Sequence, residues 1–150
     1  MRVVIQRVSS ASVTIDGQVK ASIEKGLLIL AGFESSDTPV EADRLAVKIP
    51  KLRIFSDSEG LMNLSNQDVN GDYLVVSQFT LHAATVKGNR PSYFRSARPE
   101  QAIPLYEHFI RALSLSTGKE IASGTFGADM QVALVNDGPV TICIDSLNWE

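Results

Sequence analysis

At 150 residues, with 44% hydrophobic and 21% charged side chains, the chain has a globular balance and can bury about two-thirds of its unfolded surface without metal or disulfide staples. No apolar run approaches the ~18 residues that cross a bilayer, and the start lacks the basic region and apolar core of a secretory signal, so one cytoplasmic domain over 1–150 with no membrane partner is expected. A net charge of −3 argues against a protein that coats nucleic acid, and one cysteine with two histidines excludes an intrachain disulfide and supplies too few soft ligands for zinc, so neither metal nor cofactor is expected.

Residues Arg2 to Val8 alternate as a strand, and Val13 to Val19 reads as a hairpin about Asp16-Gly17. Leu27 to Phe33, flanked by Gly26 and Gly32, is a continuous apolar run, the pattern of a strand buried on both faces. Thr38-Pro39-Val40-Glu41 has the layout of a capping box, with Thr at the N-cap, Pro at the first helical position and Glu three residues past the cap. The helix it opens is expected to run to Ile49, with Ala42, Leu45, Ala46 and Ile49 on one face and Pro50 stopping it. Leu52 to Phe55 is expected as a strand, Ser56 to Gly60 as a solvated turn, and Tyr73 to Val76 as a strand that delivers Ser77 at its end.

The stretch from Ala83 to Arg98 is long for a loop in a compact domain. A second helix follows, with a stripe of Ala102, Leu105, Tyr106, Phe109, Ile110 and Leu113; it tolerates Pro104 only in a first turn, and His108 lies one residue off the stripe, toward the surface. Ile121 to Gly127, Met130 to Val135 and Val140 to Ile144 read as strands, with Cys143 in the last of them expected as a buried structural thiol. Strands and helices segregate without a repeating βα alternation, which predicts α+β architecture: mostly antiparallel sheets forming a barrel-like core with two packed helices.

Three stretches invite a chemical reading. From Tyr73 through Pro99 there is no Asp or Glu, while Lys87, Arg90, Arg95 and Arg98 fall there, which suits a few phosphates of an RNA end or else a solvated loop. In Ser77-Gln78-Phe79-Thr80-Leu81, Ser77 or Thr80 with His82 supplies the pieces of a conventional hydrolase without its usual elbow; the alternative is a set of backbone N–H donors at a strand end, aimed at a developing oxyanion. In Asn136-Asp137-Gly138-Pro139-Val140-Thr141, Gly138 has no Cβ and Pro139 no N–H, so their peptide unit can present bare carbonyls to a ligand; otherwise the stretch is a turn between strands.

Taken together with Met1 to Val8 and with Phe126 to Met130, these motifs resemble the D-aminoacyl-tRNA deacylases nearly end to end. The resemblance implies hydrolysis of the ester between a D-amino acid, or glycine, and the 3′-terminal adenosine of tRNA, assisted by the ribose 2′-OH. It implies that Ser77, Gln78, Phe79 and Thr80 form the catalytic segment, and that the Gly138 and Pro139 carbonyls, in a cis unit, hold the α-amino group so that an L side chain strikes backbone. Phe126, Met130 and Phe79 become candidates for the adenine pocket, and Arg7 for holding the Gly-Pro loop outward. The family further implies a two-fold homodimer in which each Gly-Pro motif enters the partner's pocket. Two rivals stand beside this: a non-catalytic nucleic-acid-binding module and a conventional Thr or Ser esterase.

Overall fold

Strand β1 (Arg2–Ile15) is one long element where two alternating segments are predicted, because each half pairs with a different neighbour. Its first half pairs antiparallel with β3 (Gly26–Gly32) and its second with β2 (Gln18–Ile23), while its other edge pairs along its length with β8 (Gln131–Asp145). The computed structural model describes residues 1–149. β1 turns into β2 through Asp16 and Gly17, both at positive φ (50° and 75°), the requirement of the two-residue hairpin that an Asp-Gly pair signals.

β3 is buried on both faces, as its apolar run demands, and its second neighbour is parallel: β6 (Asp72–Ser77), followed in the same sense by β7 (Ala122–Ser123). Parallel neighbours need long crossovers, and here α1 (Pro39–Lys48) and α2 (Pro99–Thr117) provide them. The α+β expectation therefore holds, with a sheet that is mixed: β2 comes round to lie against β6 and β7 and nearly closes a barrel, and the two helices pack outside it. Val3, Ile5, Leu27, Ile29, Tyr73 and Val75 face the helices. Val8, Ala11, Val13, Leu28, Leu74 and Val76 fill the other face. A small hairpin of β4 (Phe55–Ser56) and β5 (Met62–Leu64) stands apart around the Asp57 turn.

Several expectations are corrected. Residues 52–54 do not pair as a strand, because the Leu52 N–H closes the 3-10 turn of Ile49–Lys51 and the Ile54 carbonyl accepts from Arg7 Nη1 at 2.6 Å. The expected strand from Ile121 to Gly127 shortens to β7, since the chain turns at Gly127 (φ 76°) with the Ala128 N–H on the Thr125 carbonyl. The two last strands are one. Pro104 lies beyond the first turn of α2; its ring sits on the exposed side, so the helix loses one bond of its ladder while its apolar stripe stays buried and holds it. Cys143 is exposed, because β8 alternates and Val140, Ile142 and Ile144 take the inward positions. Among the described residues no helix is long and apolar enough to cross a membrane.

The capping box forms as expected: the Val40 N–H donates to the Thr38 hydroxyl, and the Thr38 N–H and hydroxyl both donate to Glu41. The Thr38 hydroxyl holds the Glu41 carboxyl below its ordinary value, with the Thr38 backbone adding to it. A depressed carboxylate contributes stability that is full above its unfolded value and is lost as pH falls through the folded one. Thr38→Ala is accordingly expected to cost about 1 kcal/mol at pH 7 in urea unfolding, with the gap to the parent chain narrowing below about pH 4.

Candidate active site

The parallel strands end together, with Ala31 of β3 opposite Ser77 of β6, and their carboxyl ends open on a cavity of about 280 Å3. Ser77, Gln78, Phe79, Phe126 and Met130 all line it. The Gln78 N–H continues the ladder by donating to the Ala31 carbonyl at 2.8 Å, which removes it from the expected set of oxyanion donors. The chain then enters a 3-10 turn at Phe79–His82, whose first bond runs from the Leu81 N–H to the Gln78 carbonyl. The Phe79 and Thr80 N–H groups precede that bond and have no partner within the turn. Thr80 does not line the cavity; its hydroxyl is held by the Gln78 side-chain amide at 2.5 Å.

Phe126 and Met130 arrive on the segment after β7. The half-buried Phe126 ring lies 5.8 Å from that of Tyr106, whose hydroxyl donates to the Val75 carbonyl at 2.9 Å, so α2 braces the cavity wall. Burial pushes the Tyr106 hydroxyl far above its ordinary value, and it serves as a donor only. The Met130 sulfur occupies the space over Gly124, 2.5 Å from where a Cβ would stand.

Arg7, Gly138 and Pro139 lie elsewhere. Between the pairs Gln6 with Thr141 and Val8 with Asn136, Arg7 alone faces Asp137, Gly138, Pro139 and Val140. The excess of β8 forms an exposed excursion in which Gly138 has φ 129° and the Gly138-Pro139 bond is cis. Beneath it the Arg7 side chain is buried, with Nε donating to the Asp137 carbonyl at 2.9 Å and Nη1 to the Ile54 carbonyl. Asn136 closes the excursion, accepting from the Val140 N–H and donating to the Thr141 hydroxyl, each at 3.0 Å. Arg7 pairs with Leu27, five residues before Gly32 on β3, or roughly 16 Å along the strand. Neither Gly138 nor Pro139 lines the cavity of its own chain.

His82 is 1% exposed, and neither ring nitrogen has a hydrogen-bond partner, so it contacts neither Ser77 nor Thr80 as a base. Burial holds its pKa below the ordinary value, although the nearby Gly32 backbone and Glu34 carboxylate pull the other way. His108 is tied to Asp43 at 2.7 Å on the helical surface, away from the cavity. Among the described residues no three of His, Cys, Asp and Glu stand together as a metal-holding group.

The sequence model of D-Tyr-tRNA(Tyr) deacylase matches residues 4–145 of this chain. The chain belongs to the D-Tyr-tRNA(Tyr) deacylase family. It is 60% identical to the D-aminoacyl-tRNA deacylase of Flavobacterium johnsoniae and 61% identical to that of Bacteroides thetaiotaomicron, in each case over 150 residues and the whole of both chains. A solved c-Myc DNA Unwinding Element Binding Protein is 39% identical and superimposes with a TM-score of 0.91, covering 97% of this chain and 98% of that one. A probable eukaryotic D-amino acid tRNA deacylase, 17% identical with a TM-score of 0.82 over 95% and 97% of the two chains, shares the fold.

Within this deacylase-family chain, sequence reasoning missed Gly32, Phe33 and Ala97 of the cavity lining, and gave Asp129 no role although it stands in the Phe126 to Met130 motif. The available signal was Gly32, a glycine closing a buried apolar run, which marks a close backbone approach. A Cβ there would stand 2.6 Å from the Gln78 carbonyl and 3.2 Å from the His82 ring. Gly32→Ala is therefore expected to push the Ser77 to Thr80 segment out of place and to lower stability by about 1–3 kcal/mol in urea unfolding. His82 gives a second expectation. Its folded pKa is lowered, so the unfolded chain binds more protons below about pH 6.5, and stability falls as pH drops from there. His82→Phe should flatten that slope between pH 7 and 5, as read from melting temperatures across the range.

Proposed function

We propose that this chain, acting as a single domain, hydrolyses the ester joining a D-amino acid, or glycine, to the 3′-terminal adenosine of tRNA, releasing free amino acid and tRNA. The observation that carries the reading is a division of labour in a deacylase-family chain. The cavity holds Ser77 to Phe79 with Phe126 and Met130, while the bare Gly138-Pro139 backbone projects from a different part of the same molecule. A backbone gauge absent from its own cavity suits a cytoplasmic homodimer with an isologous interface, each copy offering the Gly138 and Pro139 carbonyls to its partner.

In this mechanism Phe126 and Met130, with Phe79 at the mouth, hold the flat adenine. Water adds to the ester carbonyl with the ribose 2′-OH assisting, and the oxyanion of the tetrahedral intermediate meets the N–H of Phe79, which lines the cavity, with the Thr80 N–H next in the turn behind it. Collapse breaks the bond to the ribose 3′-oxygen, which leaves with a proton. A preorganised donor of this kind contributes roughly 3–4 kcal/mol. Thr80, its hydroxyl engaged by Gln78, positions the segment and is not the nucleophile. The partner's Gly138 and Pro139 carbonyls fix the α-amino group, so an L side chain collides with backbone, whereas a D side chain points outward and glycine has none to collide. Arg7 keeps the excursion presented.

A second reading, nucleic-acid binding without turnover, is favoured by the name of the solved protein that shares 39% identity. Paired assays of D-tyrosyl-, L-tyrosyl- and glycyl-tRNA separate the two. Cleavage of the D and glycyl esters with the L ester spared is the expected result; cleavage of D and L alike would reduce Gly138-Pro139 to a turn, and binding with no cleavage would favour the second reading. Thr80→Ala should retain most activity, which a Thr nucleophile would forbid. Gly138→Ala places a Cβ at a strained φ and 2.8 Å from Arg7 Nη2, so D-ester kcat/KM should fall roughly 100-fold and the D over L preference should narrow.

A further inference from the structure

The acid-free stretch from Tyr73 through Pro99 supplies Val76, Ser77, Gln78, Phe79 and Ala97 to the cavity lining. Ala84 and Ser92 exchange both backbone hydrogen bonds, at 2.8 and 2.9 Å, and so pin a loop, 85–91, that carries Lys87 and Arg90. Beyond the pin, Tyr93 meets Phe79 edge-on with centroids 5.1 Å apart, and the Ser96 hydroxyl donates to the Phe79 carbonyl. The Ala97 N–H donates to the Phe33 carbonyl, and both residues line the cavity. Segment 93–97 thus borders the cavity through Ala97 and through its contacts with Phe79, forming a rim. Arg95 is engaged by Glu34 at 2.9 Å, whereas Lys87, Arg90 and Arg98 are exposed and have no carboxylate partner among the described residues. Between Tyr93 and Arg95 stands Phe94, 79% exposed, a flat apolar ring with little of its chain packed on it.

An exposed ring on a segment that also carries three unpaired cations, joined to a cavity already read as an adenosine site, has the chemistry that takes up single-stranded nucleic acid: a face for a base and charges for the backbone. A protein partner would be expected to meet an apolar patch depleted of charge at its centre, whereas Lys87, Arg90 and Arg98 all lie within seven residues of this ring in the chain. Resting on the function proposed above, we propose that this rim seats the single-stranded 3′ end of the tRNA, with Phe94 stacking on the base that precedes the terminal adenosine and Lys87, Arg90 and Arg98 contacting its phosphates.

The test compares two substrates: D-tyrosyl-tRNA, and D-tyrosyl-adenosine, which carries the ester and the terminal nucleoside but no phosphate. Phe94→Ala should raise KM for the tRNA ester roughly tenfold with kcat unchanged. The triple variant Lys87→Gln, Arg90→Gln, Arg98→Gln should reduce the slope of log(kcat/KM) against log salt by roughly 2. Both variants should cleave D-tyrosyl-adenosine at the parent rate. Equal losses on the two substrates, unchanged KM for the tRNA ester, or conversion of the assembly to a smaller species on size exclusion by Phe94→Ala would each overturn the assignment, the last by giving the rim to a second copy of the chain. If the parent cleaves neither ester, the hydrolase reading fails separately, and the rim is judged by Kd for uncharged tRNA; weakening in both variants supports it, and no change overturns it.

Discussion

The rest of this structure depends on a break in one ladder. β1 and β8 pair antiparallel from Arg2 with Asp145 to Thr14 with Gln131, and the pairing fails only around Arg7 and Ser9. At Arg7 the surplus lies in β8, which throws out residues 137–140; between Val8 and Ser10 the surplus lies in β1, a bulge that changes which of its residues face inward. Val3 and Ile5 accordingly join the core beneath the helices, while Ala11 and Val13 join the one on the other face. Two adjacent interruptions in one ladder thus divide the work: one makes the Gly138-Pro139 excursion, and the other lets a single strand serve two cores.

A buried guanidinium holds this arrangement. Arg7 is nearly inaccessible, and its donors reach the Asp137 and Ile54 carbonyls, with the Asp137 carboxylate at 3.4 Å and the Phe55 ring 5.8 Å away. A buried cation without such partners is strongly destabilising, so the side chain and the excursion constrain each other. Two otherwise unpaired backbone carbonyls are satisfied in the process. On the proposed reading, this is how a chiral gauge can be built from backbone alone: a side chain that never meets substrate keeps the peptide unit in place.

The cavity follows the same logic from the other end of β3. Its wall depends on missing side chains, with Gly32 against the Gln78 carbonyl and Gly124 under the Met130 sulfur, and in each case a methyl group would displace the neighbour. Side chains with ordinary catalytic credentials stand back. His82 is buried without a hydrogen bond, His108 is bound to Asp43 on the surface, and Thr80 is occupied by Gln78. The cavity is lined by Ser77, Gln78 and Asp129 together with aromatic faces and a thioether, and no histidine stands among them as a base, so the arrangement suits a site that works by orientation and dipoles.

Local energetics were readable in the residues alone. Asp16-Gly17 needs positive φ, Thr38 with Glu41 satisfies helix-end donors, and Leu27 to Phe33 has no polar position to turn toward water, so each element follows from neighbours within a few residues. The motifs about Ser77 and Gly138 were equally visible, because close backbone approach leaves a trace in glycine and proline. The parallel pairing of β3 with β6 and β7 was not visible, nor was the burial of His82, the exposure of Cys143, the course of α2 through Pro104, or the part of Gly32 and Asp129 in the cavity. Those depend on residues tens of positions apart, and the chain carries no local signal for which of two apolar strands becomes a neighbour. By itself the sequence determined turns, caps, the class of fold and the two motifs; only the tertiary structure decided that those motifs lie at opposite ends of one strand pairing, because their separation is set by register.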